Sequence, residues 1–292
     1  MPTSKTASQR GGASRAAKKL SKLVVRNVKF GLTPKLPRYW NGGRKSVTIF
    51  YNNLSLFFPE GERFFIRSVK NHIAKVTSEK TKAEARDFYV QEAYHTREHE
   101  LYNAILAAQG YPVEEIDARI KFILGNVKAR LPQRWNLAAT CALEHFTALL
   151  ATFLLTTPEL LADAPPEMQA LWRWHAAEEN EHKAVAYDVY QEAGGNYPER
   201  AVIMFFTTVI FAGIIAAHQA QMMKTDGIAA DPREWLALAR HLFLGEPGRM
   251  FALTGEYLDY YRPGFHPWDH DHSDLLTAFK KDFARNKAYR AA

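Results

Sequence analysis

Only one cysteine, Cys141, occurs in 292 residues. An intramolecular disulfide is therefore impossible, no cysteine cluster competes for metal, and a reducing, cytoplasmic location is the expectation. Acids are missing from the start of the chain; the first is Glu60. The basic N-terminus has no apolar stretch ahead of a small-residue cleavage site, which argues against a secretory signal. Strand patterns are nearly absent, and this points to an all-α chain. Long apolar runs are scarce too. The longest, 201–217 (AVIMFFTTVIFAGIIAA), has 17 uncharged residues, just under the roughly 20 that span a bilayer. Its first reading is a buried core helix, with a membrane-associated or membrane-spanning helix or an oligomer interface as alternatives.

What is present is unevenly charged. Of the 38 Lys and Arg, 12 fall in residues 1–45, which leaves 26 bases against 31 acids in the rest and a net of −5 there. The body is mildly acidic and the leader strongly basic. Such a leader reads first as a solvated, flexible arm; a peripheral contact with anionic membrane is the alternative, and nucleic acid is not the expected partner. With 47% hydrophobic residues the chain can bury a sizeable core. The expected division is an arm at 1–45, a metal-binding bundle at 46–226, and a helical extension at 227–292 packed on it.

Helical periodicity places the bundle helices at 54–76, 78–110, 134–157 and 166–193. Pro59 suits the first turn of the first, Ser78 caps the second, Gly110 stops it, and Gly194-Gly195 close the fourth. A connecting helix at 112–131 gives the long crossover of a ferritin-like four-helix bundle. Shorter helices follow near 232–244, 249–261 and 273–286.

The spacing Glu-x-x-His occurs twice in informative places, Glu92–His95 and Glu179–His182, each with a glutamate in an apolar setting one helix upstream, Glu62 and Glu144. Positions i and i+3 share a helix face, so a carboxylate and an imidazole can reach one ion. Two helices giving a lone Glu and two giving Glu-x-x-His make the ligand set of a dinuclear carboxylate site. Iron, manganese and zinc all accept these ligands, and two ions, iron first, are the expected cofactor. Glu62 is preferred to Glu60 because Phe65 and Ile66 continue its apolar stripe, and Glu179 to Glu178 because only Glu179 has the step to His182. His99 and His175 lie on the same stripes, as extra ligands or as partners orienting the carboxylates. His145 beside Glu144 is only a neighbour. A second cluster, His266, Asp269, His270, Asp271 and His272, sits among prolines and glycine and reads as a loop, with Ser273 and Asp274 capping the next helix.

The order Glu62, Glu92-x-x-His95, Glu144, Glu179-x-x-His182 resembles the ferritin-like di-iron carboxylate superfamily. More narrowly, FFPEGERFF, QEAYHTREH, WHAAEENEHKAVAYDVY and YYRPGFHPW are similar to a bacterial family labelled predicted metal-dependent hydrolase, across about residues 45–270. The superfamily resemblance implies an O₂-activating oxidoreductase acting on a small apolar substrate, with an electron-donor protein and a homo-oligomer as further partners. Phe64, Phe65, Phe146, Phe153 and Trp174 are its candidate pocket residues. Hydrolysis by a metal-activated water is the alternative. Iron storage or ferroxidase activity comes third, since storage subunits are far shorter.

Overall fold

The computed structural model describes residues 23–244 and 249–290, and no strand occurs among them. Five helices build the body: α1 (Lys45–Lys70), α2 (Glu79–Ala108), α3 (Val113–Arg130), α4 (Gln133–Thr156) and α5 (Pro166–His182). α1 lies along α2 and α4 along α5, while the connecting α3 lies against α1. The all-α bundle with two helix pairs and a long connection is the expected one. Ser78 caps α2 by accepting from the Thr81 amide at 3.1 Å, and Gly110 ends the turn after it with φ 85°, a conformation that suits glycine.

Four local expectations are corrected. α1 starts nine residues before position 54, so Pro59 lies inside the helix instead of in its first turn. A proline there leaves the Ser55 carbonyl without its helical donor. Asn103 Nδ2 supplies the missing bond at 3.0 Å, and Ser55 Oγ donates to Asn103 Oδ1 at 2.7 Å. The expected helix 166–193 breaks after His182 and resumes as α6 (Val185–Glu192). No proline or glycine marks the break. Lys183 is instead drawn aside, its ammonium donating to the His270 carbonyl at 2.8 Å above the Trp268 ring.

The third correction concerns the basic leader. Residues 1–22 lie outside the described part, but from Leu23 the chain is a packed strap, not a solvated arm. Leu23, Arg26, Val28, Phe30, Leu36 and Trp40 are buried. The fourth concerns 201–217. It lies in α7 (Tyr197–Thr225), only 17% of whose most apolar window is buried, so it is not a core helix. α7 and α4 are both long and apolar enough to cross a membrane, but the corresponding window of α4 is 67% buried. The C-terminal part gives α8 (Pro232–Leu242), a 3₁₀ turn at Met250–Leu253, α9 (Thr254–Asp259) and α10 (Ser273–Arg285). α8 packs on α1 and α10 on α5.

One turn is tightly constrained. A Cβ at Gly195 would lie 2.3 Å from Cε1 of the buried Tyr190 ring, whose hydroxyl donates to the Asn196 carbonyl at 2.9 Å. Gly195→Ala is expected to destabilise the protein by about 1–3 kcal/mol through this overlap. A thermal melt unchanged by the substitution would mean that the ring can move aside.

Candidate metal centre

Helix register brings the two Glu-x-x-His faces together. Glu62 on α1, Glu92 and His95 on α2, Glu144 on α4, and Glu179 and His182 on α5 are each 2% exposed or less. His182 Nε2 lies 3.0 Å from Glu92 Oε1, 3.4 Å from Glu144 Oε2 and 3.5 Å from Glu179 Oε2. His95 Nδ1 is 3.7 Å from Glu179 Oε1, and His175 Nε2 approaches the same oxygen at 3.2 Å. Three sets of donor atoms, each set lying within 4.8 Å, could hold an ion: Glu62, His95 and His175; Glu92, His95 and Glu179; Glu92, Glu144 and His182. Glu92 and His95 each belong to two sets, so the three sets form one continuous centre.

The donor atoms fit a cation better than they fit each other. Both oxygens of Glu92 and Glu144, Oε1 of Glu62, Oε2 of Glu179, Nδ1 of His95, and Nε2 of His175 and His182 have no hydrogen-bond partner. Each buried polar atom left in that state costs about 1–3 kcal/mol. Burial, reinforced by the Glu92 charge, pushes Glu62 well above the ordinary carboxylate range. Burial does the same to Glu144 and raises Glu92. It acts in that direction on Glu179 too, but His182 and His175 reverse it and hold this carboxyl well below the range. Burial opposes a charge on His182, yet Glu179, Glu144 and Glu92 prevail and keep its proton bound well above the usual imidazole pH. A divalent ion would take the place of these protons.

The imidazoles are aimed from behind. Gln91 Nε2 donates to the Val24 carbonyl at 3.1 Å and to Glu181 Oε2 at 3.3 Å. Its Oε1 therefore faces His182 Nδ1, at 3.1 Å, and must accept from it. That keeps a hydrogen on Nδ1, so when an ion displaces the second proton it is the Nε2 lone pair that faces the three carboxylates. Glu178 Oε2 accepts from His95 Nε2 at 3.1 Å in the same way, which frees Nδ1 for an ion. Arg26 holds Glu178 in place, with Nη1 2.9 Å from Glu178 Oε1 and Nη2 2.7 Å from Glu181 Oε1. His99 uses both nitrogens, on Ser55 Oγ at 2.9 Å and His175 Nδ1 at 3.0 Å, and so orients His175.

Glu60 lies apart from this centre, paired with Arg63 at 2.7 Å. His145 packs against the Tyr260 and Phe265 rings. The second His/Asp cluster is spread over separate pairs, His266 with Asp188, His270 with Asp259 and His272 with Glu256. Among the described residues it forms no set within metal-ligand reach. Ser273 and Asp274 do not cap the helix that follows but lie in its first turn; His272 stands at its N-cap, and Asp271 accepts from the Ser273 amide at 2.9 Å.

Sequence reasoning missed Arg26, Gln91 and Glu181. A signal for Arg26 did exist: Val28 and Phe30 follow it closely, and apolar residues spaced like that are out of place in a solvated leader. Glu178→Gln is expected to weaken metal binding by about 10–100-fold, because an amide has one oxygen and cannot accept from both Arg26 and His95. Competition with a chelator measures this, and unchanged affinity would show that His95 needs no such partner.

A narrow apolar cavity of about 40 Å³ reaches His175 and Glu179 from between α1, α4 and α5. Its walls include Phe50, Leu54, Phe58, Leu150, Trp172 and Met250. Of the aromatic residues expected to form a pocket, Phe153 lines this cavity. Phe64 and Phe65 belong to the core, Trp174 meets His95 edge-on, and Phe146 stacks on Phe211 of α7.

The chain matches no curated protein and no solved structure. A family model described as "Predicted metal-dependent hydrolase" matches residues 24–271, from the strap to the His/Asp loop, and so takes in the whole centre. With most of its length matched, the chain belongs to this family of predicted metal-dependent hydrolases.

Proposed function

We propose that the protein is a dinuclear metal-dependent hydrolase for an apolar ester. The observation that carries this reading is the apolar cavity that ends on His175 and Glu179, at the edge of the unpartnered donor atoms. Family membership supports hydrolysis over oxidation. Glu62, Glu92, His95, Glu144, Glu179 and His182 would hold two ions, with His175 as a further ligand. When bound, the ions supply Lewis acidity toward a carbonyl oxygen and toward water. The chain's own part is to hold the imidazole lone pairs inward through Gln91 and Glu178, to bind the apolar part of the substrate along Phe50, Leu54 and Phe153, and to exclude bulk water from the cavity.

A second reading, O₂ activation by a di-iron form, is favoured by the ligand pattern, a Glu from each of two helices and a Glu-x-x-His from each of two others, which di-iron and di-manganese carboxylate bundles use. The deciding experiment loads the protein with Zn(II), Mn(II) or Fe(II) and offers p-nitrophenyl esters of increasing chain length under strict anaerobiosis. Hydrolysis without O₂, rising with chain length, is the expected result. Absence of hydrolysis with every metal, together with O₂ consumption by the Fe(II) form, would overturn it in favour of the second reading.

A further inference from the structure

The exposed side of α7 carries Val202, Phe205, Phe206, Val209 and Ile210, each more than half exposed. No charged residue occurs from 201 to 223. From 202 to 217 this face is about 22 Å long at the helical rise of roughly 1.5 Å per residue. Its opposite side packs on α4 and α1. Both ends are tied to the body: the Arg200 guanidinium donates to the Tyr260 and Arg262 carbonyls, and Gln219 Nε2 to the Ser46 carbonyl at 3.0 Å. A helix held in this way lies on a surface and does not cross it.

The apolar face continues past α7. Tyr257 on α9 meets Thr208 hydroxyl to hydroxyl at 3.0 Å. Around it stand the exposed Leu258 and Phe251, with the Phe243 ring centred 4.9 Å from that of Phe251. Beneath these rings lies a depression whose lining includes Leu150 and Met250, and the same two residues line the cavity that reaches His175 and Glu179. The cavity that reaches the centre therefore shares a wall with the apolar face. On the α3 side, Leu124 and Val127 form a groove with Ile210 and Phe211, and the exposed Lys128 and Arg130 follow in the same helix.

We propose that this face seats the protein on an anionic lipid bilayer, and that the cavity takes an acyl chain of the lipid toward His175 and Glu179. A second copy seated here would close the cavity mouth, whereas a bilayer supplies it with apolar chains. Lys128 and Arg130, beside an uncharged apolar face, match anionic headgroups. The substrate half of the proposal rests on the hydrolytic reading: water adds to the ester carbonyl, the acyl–oxygen bond breaks, and a fatty acid and an alcohol leave with no other reactant.

The test uses the full, metal-loaded chain and vesicles of phosphatidylcholine, alone or mixed with phosphatidylglycerol. Sedimentation with the mixed vesicles, weakened by salt, is expected. Phe205→Asp/Phe206→Asp should lower the bound fraction about tenfold or more, while metal content and hydrolysis of a short soluble ester stay unchanged. Val202→Asp/Val209→Asp, with helix content checked by circular dichroism, serves as a second variant. Equal vesicle binding by wild type and both variants overturns the proposal. So does a wild-type dimer in light scattering that the substitutions dissolve, with no vesicle binding. Vesicle binding lost in the variants, in a protein that hydrolyses neither soluble nor vesicle-borne esters, supports docking and sinks the hydrolytic reading alone.

Discussion

Glu144→Gln is expected to change metal affinity and metal-free stability in opposite directions. Both Glu144 oxygens are buried without a hydrogen-bond donor, and His182 Nε2 lies 3.4 Å from one of them. Removing one carboxylate should lower metal affinity by more than the roughly 100-fold that loss of an orienting partner costs. The metal-free protein should become more stable. Burial raises the folded pKa of Glu144 well above 4.5, so the folded state binds the extra proton and stability falls as pH rises above the unfolded value. Glutamine carries no such proton, which makes the gain on the order of 1–3 kcal/mol at neutral pH. The protons held on His182 and the raised carboxyls must also leave when metal binds, so affinity should fall as pH is lowered. Calorimetric titration in buffers of different ionisation enthalpy reads the proton release directly. A metal-free melt that drops on substitution, or binding without proton release, would show that the carboxylates are already ionised.

Arg26→Ala should cost about 3–5 kcal/mol, because it leaves two buried carboxylates without their cation. The guanidinium bridges Glu178 and Glu181, and Lys280 alone remains near Glu181, at 3.5 Å. Lys29→Ala and Lys35→Ala, at exposed positions of the same strap, should stay within about 0.5 kcal/mol. Adding Glu178→Gln and Glu181→Gln to Arg26→Ala should restore much of the loss. If Arg26→Ala melts with the lysine variants, the ion pairs contribute no net stability.

The meeting of the six candidate ligands was legible in the sequence because its information is local. A Glu and a His three apart on one helix face announce themselves without knowledge of the fold, and the apolar stripe around Glu62 separated it from Glu60. Helices α2, α3 and α4 were legible through periodicity, a serine cap and a glycine stop. The remainder depends on contacts between distant residues. Arg26 meets Glu178 across 152 positions, Asn103 rescues the carbonyl that Pro59 frees, and Lys183 is pulled out of its helix by the His270 carbonyl. The exposure of α7 was hidden for a different reason: an uncharged helix looks the same in sequence whether it faces a core or a surface.

The strap has a consequence for timing. It is clamped to Glu178 and Glu181, which flank Glu179, and to Gln91, which adjoins Glu92. Undocking it removes the supports behind both His95 and His182 at once. Ion exchange should therefore follow the rate at which residues 23–44 peel away, so that a chelator extracts metal slowly even when equilibrium favours it. Weakening Arg26 would shorten the residence time of the ions before it altered the number bound.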